Sequence, residues 1–91
     1  MNITYFNYTG RNTESHGVNI NGIKLYFSYK TLVAFYYKGE LFVRKNEWGT
    51  TTGRHLNDID GGNKKERLSE EEFDKAIEKY LKKHRLLELF V

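Results

Sequence analysis

Trp48, three threonines at positions 50 to 52, Gly53, Arg54 and His55 crowd indole, hydroxyl, guanidinium and imidazole groups into one short stretch, "NEWGTTTGRHLNDI". Hydroxyls from Thr51 and Thr52, a backbone that can approach closely at Gly53, and the donors Arg54 and His55 beside a helix start can hold a phosphate or a carboxylate. The same residues also have a structural reading. Thr50 or Thr51 caps the helix, Trp48 fills the edge of the core, and His55 bonds a backbone carbonyl. The two readings are compatible, because a capped helix N-terminus is also what an anion meets.

Catalysis is less well supplied. His16, His55 and His84 lie in separate segments, and none has a partner at the i, i+4 spacing of a helical metal pair. The chain contains no nucleophile elbow, no P-loop and no cysteine. Asp58 and Asp60 could join His55 around a divalent ion in a small metal-dependent nuclease, yet an Asp-x-Asp ahead of Gly61-Gly62 reads more simply as a solvated turn. The expectation is a binding protein rather than an enzyme, with no catalytic residue, no metal ligand and no cofactor.

Nucleic acid is the binding partner these side chains suit. Trp48, with Tyr36 or Tyr37, can stack on bases, Arg44, Lys45 and Arg54 can contact phosphates, and Thr51, Thr52 and His55 can add hydrogen bonds. Tyr26 and Tyr29 stand on neighbouring strands. The competing reading packs these tyrosines under a helix and leaves the cations to solvent. Lys64, Lys65 and Arg67 form another short basic run, but Glu66 interrupts it, and the run reads as a solvated linker.

The elements that must position these groups are a set of strands followed by two helices. Residues 3 to 8 have strand propensity. Val18, Ile20, Ile23, Leu25 and Phe27 surround Asn21-Gly22, the strongest short hairpin signal. Residues 31 to 45 present two apolar stretches around Lys38-Gly39-Glu40, a second hairpin. A short helix follows Trp48, with Leu56 and Ile59 on one side and Gly61-Gly62 at its end. The tail carries a capping box at Ser69 and Glu72 and a staple pair at Leu68 and Phe73. Phe73, Ile77, Tyr80, Leu81 and His84 share one face, acids stand at the start, and Lys82, Lys83 and Arg85 stand near the end. This predicts a helix over about residues 70 to 87. The order implies an α+β fold: a small antiparallel sheet of four or five strands built from two hairpins, a short helix, and a C-terminal helix packed on one face. Aromatic residues on the other face would be open.

The chain of 91 residues reads as a single domain, 1–91, with a thin core. Seven Tyr, six Phe and one Trp are more rings than such a core absorbs, so some must be exposed. The net charge of +3 is compatible with nucleic acid but does not select it. Without cysteine, a disulfide framework and a thiolate zinc site are both excluded. The N-terminal stretch lacks the regions of a signal peptide, and no apolar run is long enough to cross a bilayer, so a cytosolic protein without a membrane partner is expected.

The block "FSYKTLVAFYYKGELFVRKNEWGTTTGRHLNDI" resembles a family of small uncharacterised bacteriophage and prophage proteins, especially of Gram-positive hosts. Those proteins share a pattern Y-S-Y-x-T-x-V-A followed, after a hairpin, by N-x-W-S-x-T-T-G-[KR]-H-L-N. Matching positions here include Ser28, Tyr29, Thr31, Val33, Ala34, Asn46, Trp48, Thr51, Thr52, Gly53, Arg54, His55, Leu56 and Asn57. Phe27 and Gly49 depart from it. The resemblance covers about a third of the chain and implies a phage accessory protein acting in the host cytoplasm, for which an anti-CRISPR or other counter-defence role is the expectation. RNA or a host ribonucleoprotein would then be the partner. The alternative is a protein-only inhibitor or adaptor of a host protein, with a homodimer possible through an open sheet edge.

Overall fold

The computed structural model describes residues 3–9 and 14–81. Its strands are β1 (Ile3–Phe6), β2 (Ser15–Ile20), β3 (Ile23–Ser28), β4 (Thr31–Tyr37) and β5 (Glu40–Val43), and its helices are α1 (Thr50–Asp60) and α2 (Glu70–Ala76). A 3-10 turn, Lys64–Glu66, joins the helices, and α2 runs on into a π-helical turn, Ile77–Leu81. The strands form one antiparallel meander in the order β1-β2-β3-β4-β5. This is the expected α+β fold with five strands.

Two hairpin turns form where the sequence predicts them. Asn21 and Gly22 have φ of 52° and 89°, and Lys38 and Gly39 have 48° and 86°, the paired positive values whose twist matches the flanking strands. A third turn, Tyr29-Lys30, links β3 to β4 without glycine or asparagine. Tyr29 takes φ of 56° there, and its N–H donates to the Glu14 carbonyl at 2.7 Å, so a contact to the start of β2 holds the turn.

One irregularity decides which side chains share a face. Tyr26 pairs with Ala34 but Phe27 pairs with Leu32, so Val33 is an extra residue, a β-bulge. Val33 and Ala34 consequently both join the cluster with Val43 and Leu56, while Leu32 and Phe35 pack on the opposite side. That opposite side holds Val18, Ile20, Leu25, Phe35 and Tyr37 against Phe73 and Leu81. The sheet is therefore covered on one face by α2 and its π-helical turn, as expected. Leu56 of α1 closes part of the other face, which was expected to be open.

Caps differ between the two helices. Ser69 Oγ accepts from Glu72 N at 3.2 Å and Glu72 Oε1 accepts from Ser69 N at 2.9 Å, the predicted capping box. For α1 the N-cap is Gly49, with no side-chain capping bond, so neither Thr50 nor Thr51 plays that part. The predicted extension of α2 over residues 82 to 87, with Lys82, Lys83, His84 and Arg85, lies outside the described residues.

A candidate anion-binding cleft between the β5–α1 linker, α1 and the 3-10 turn

The linker after β5 is pinned at both ends. Leu68 N donates to the Val43 carbonyl at 2.7 Å and Lys45 N to the Leu68 carbonyl at 2.8 Å, which brings the segment before α2 alongside the linker. Asn46 then shapes the turn into α1. Its Oδ1 accepts from Trp48 N at 3.0 Å, and its Nδ2 donates to the Gly49 carbonyl at 3.3 Å. Gly53 stands close behind, since a Cβ there would come within 2.9 Å of Asn46 Nδ2.

Against this corner opens a cleft of about 450 Å³. Lys45 and Asn46 border it from the linker, Thr50, Gly53, Arg54 and Asn57 from α1, and Lys64 and Arg67 from beyond α1. No carboxylate is among its lining residues. Two other clefts on the molecule have the opposite character: one of about 830 Å³ is edged by Glu47, Glu70, Glu71, Asp74 and Glu78, with Lys75 and Lys79, and one of about 280 Å³ by Glu40, Asp60 and Glu66.

Arg67 is only 6% exposed. Its Nε donates to Asp60 Oδ2 at 2.8 Å, and its Nη2 to Asp60 Oδ1 at 3.0 Å and Asn57 Oδ1 at 2.9 Å. Such a fork-to-fork pair fixes both partners. Burial alone would raise the Asp60 pKa, but hydrogen bonds from Arg67 and from the Gly62 and Asn63 backbone, with the Arg67 charge, outweigh it and hold the carboxyl below its ordinary range.

Beneath α1, Ser28, Thr52 and His55 form a buried polar group facing the sheet. Ser28 Oγ lies 2.7 Å from His55 Nδ1 and 3.0 Å from Thr52 Oγ1. The rings of Tyr8 and Tyr29 flank the imidazole at 6.0 and 6.1 Å between centroids. Tyr8 Oη donates to the Phe27 carbonyl at 2.8 Å, and burial, with a smaller contribution from Asp58, raises its pKa.

A family model matches residues 2–75, from the first strand into α2. The chain belongs to DUF8033, a family of unknown function. No curated protein and no solved structure matches it.

In this DUF8033 chain the residues proposed from sequence fall into separate places. Lys45 and Arg54 line the cleft, and Trp48, 39% exposed, sits on the same linker. Arg44 does not line the cleft: its guanidinium lies 4.7 Å from the Trp48 ring centre, and its Nη2 pairs with Glu47 at 3.1 Å and Glu70 at 3.9 Å. Thr51 is exposed, whereas Thr52 and His55 are buried under α1 and cannot meet a partner at the surface. Tyr37 is buried too, with its ring 5.3 Å from Tyr80 on the α2 face. Tyr36, the next residue back, necessarily faces the other way, where Lys24 lies 5.6 Å from its ring centre. The two tyrosines therefore do not form one stacking platform, and neither lines the cleft.

Sequence reasoning passed over Asn46, Asn57, Lys64 and Arg67. Reading residues 64 to 67 as a solvated linker was wrong for Arg67, and reading Asp58-x-Asp60 as a solvated turn was wrong for Asp60. The available signal was an arginine seven residues after an aspartate, across a Gly-Gly turn that lets the chain double back.

Proposed function

We propose that this protein is a nucleic-acid-binding module that grips phosphate in the cleft between Lys45, Arg54, Lys64 and Arg67, with RNA or a ribonucleoprotein as its partner. One observation carries the reading: Lys45, Arg54, Lys64 and the Asp60-paired Arg67 line a cleft without a lining carboxylate, while two other clefts are edged by acids. Low-dielectric walls and charges of a single sign strengthen attraction to an anion. Trp48 offers an exposed ring on the same linker for stacking on a base. The resemblance to phage proteins extends the proposal to a counter-defence inhibitor acting on a host ribonucleoprotein in the host cytoplasm, by binding rather than catalysis.

The test is fluorescence anisotropy with single-stranded RNA at low and moderate salt. Two phosphate contacts would give a slope of log K against log salt of about −1.4. Arg54→Ala and Lys45→Ala should each weaken binding and flatten the slope. Absence of binding at low salt would remove the reading.

A second reading has its own observation. On the edge strand β1, Tyr5 is 76% exposed and Ile3 39%, and residues 3 to 9 carry no charge. An uncharged edge with exposed apolar rings suits a protein contact, either a host protein or a second copy of the chain. Tyr5→Ser should then abolish partner capture or dimerisation while leaving RNA affinity unchanged.

A further inference from the structure

The cleft is built for a point rather than for a track. Proteins that follow a single strand do so along a groove several nucleotides long. Here the positive region stops on both sides. Lys45 and Asn46 line the cleft, but the next residue, Glu47, edges an acidic cleft together with Glu70 and Glu71. Lys64 and Arg67 line it, but Glu66 between them edges the other acidic cleft with Glu40 and Asp60. A backbone continuing past Asn46 toward Glu47, or past Arg67 toward Glu66, would meet carboxylates.

The donors point to the same kind of ligand. Arg67 is nine-tenths buried, and its Nε and Nη2 are committed to Asp60 and Asn57; among the described residues, its Nη1 makes no hydrogen bond. Asp60 offsets the charge of Arg67, so the positive charge of the cleft comes from Arg54, Lys64 and Lys45, the last of which also acts on Glu72 outside the cleft. Thr50, the first residue of an eleven-residue helix without a side-chain cap, lines the same cleft; the Gly53 N–H nearby is already given to the Gly49 carbonyl at 3.0 Å. Several donors and an excess of positive charge around one small volume match a phosphomonoester, which carries about −1.5 to −2 at neutral pH and three terminal oxygens. A backbone diester offers a single negative charge and two such oxygens.

We infer that the cleft recognises the terminal phosphate of a nucleic-acid strand, with Arg54, Lys64 and Lys45 as its charged contacts and Arg67 Nη1 as a fixed donor. The inference rests on the nucleic-acid reading above and narrows it from a backbone to a strand end.

The experiment compares one short single-stranded RNA, internally labelled, in 5′-phosphorylated, 3′-phosphorylated and hydroxyl-ended forms, by anisotropy at constant salt. At least one phosphorylated form should bind about tenfold more tightly than the hydroxyl-ended strand, the size of a charge-assisted hydrogen bond or more. Arg54→Ala and Lys64→Ala, both on exposed residues, should erase that difference with the fold intact by circular dichroism. Equal affinity for the three forms would overturn strand-end recognition and leave the backbone reading standing. Binding by none of them would overturn both.

Discussion

Ser28 Oγ and His55 Nδ1 lie 2.7 Å apart inside the protein, joining β3 to α1 across the face of the sheet opposite α2. Thr52 Oγ1, 3.0 Å from the same hydroxyl, makes Ser28 the hub of a polar group with all three residues buried. A helix with mostly polar residues and no side-chain cap gains little from local propensity, so this group and Leu56 anchor it. Position of the cleft depends on that anchor, because α1 supplies Arg54 and Asn57 from its outer side.

Ser28→Ala should therefore destabilise the protein by about 2 kcal/mol, since Thr52 and His55 would each lose a buried partner. For a chain of this size the loss corresponds to roughly 10 °C in Tm. Thermal unfolding by circular dichroism measures it, and an unchanged midpoint would show that the Ser28 hydroxyl contributes nothing net.

A second prediction concerns β1. A Cβ on Gly17 would overlap the ring of Phe6, which packs edge-on to Tyr26 with centroids 5.5 Å apart. Gly17→Ala should displace that ring and cost about 1 kcal/mol, the worth of such an aromatic pair, despite the strand's preference for alanine over glycine. In a Phe6→Ala background the same change should be neutral or stabilising. Urea titrations of the four proteins give the coupling energy, and additive effects would rule out the proposed clash.

These contacts also explain which parts of the molecule could be read from sequence. The capping box at Ser69 and the turns at Asn21-Gly22 and Lys38-Gly39 are specified by residues adjacent in the chain, and all three form as expected. The Tyr29-Lys30 turn and the bulge at Val33 depend on a carbonyl from residue 14 and on strand register, which local pattern does not encode. Side-chain type does not distinguish Tyr36 from Tyr37 as the stacking residue, but alternation along β4 buries Tyr37 against Tyr80 and turns Tyr36 to the other face. Lys45 and Arg54, which the sequence marks as cations near a helix start, both line the cleft. Arg67 is not so marked, because Asp60 and Asn57 hold it across a turn and bury a charge that composition places in solvent.

That buried pair sets the last prediction, which is a pH dependence. Asp60 and Arg67 side chains are 7% and 4% exposed, and the Asp60 pKa is lowered from its ordinary value of 3.8. A carboxyl with a depressed folded-state pKa adds stability that is complete above the unfolded-state value and is lost as pH falls through the folded-state one. Stability should hold from neutral pH down to the ordinary carboxylate range and decline below it. Asp60→Asn removes the charge but retains an acceptor, leaving Arg67 buried without a counter-charge at a cost of about 3 kcal/mol. Its stability at neutral pH should fall accordingly, and its decline in acid should be shallower than that of the unmodified protein. Urea unfolding at a series of pH values between neutral and strongly acidic distinguishes the cases, and parallel profiles for the two proteins would mean that another carboxylate governs acid stability.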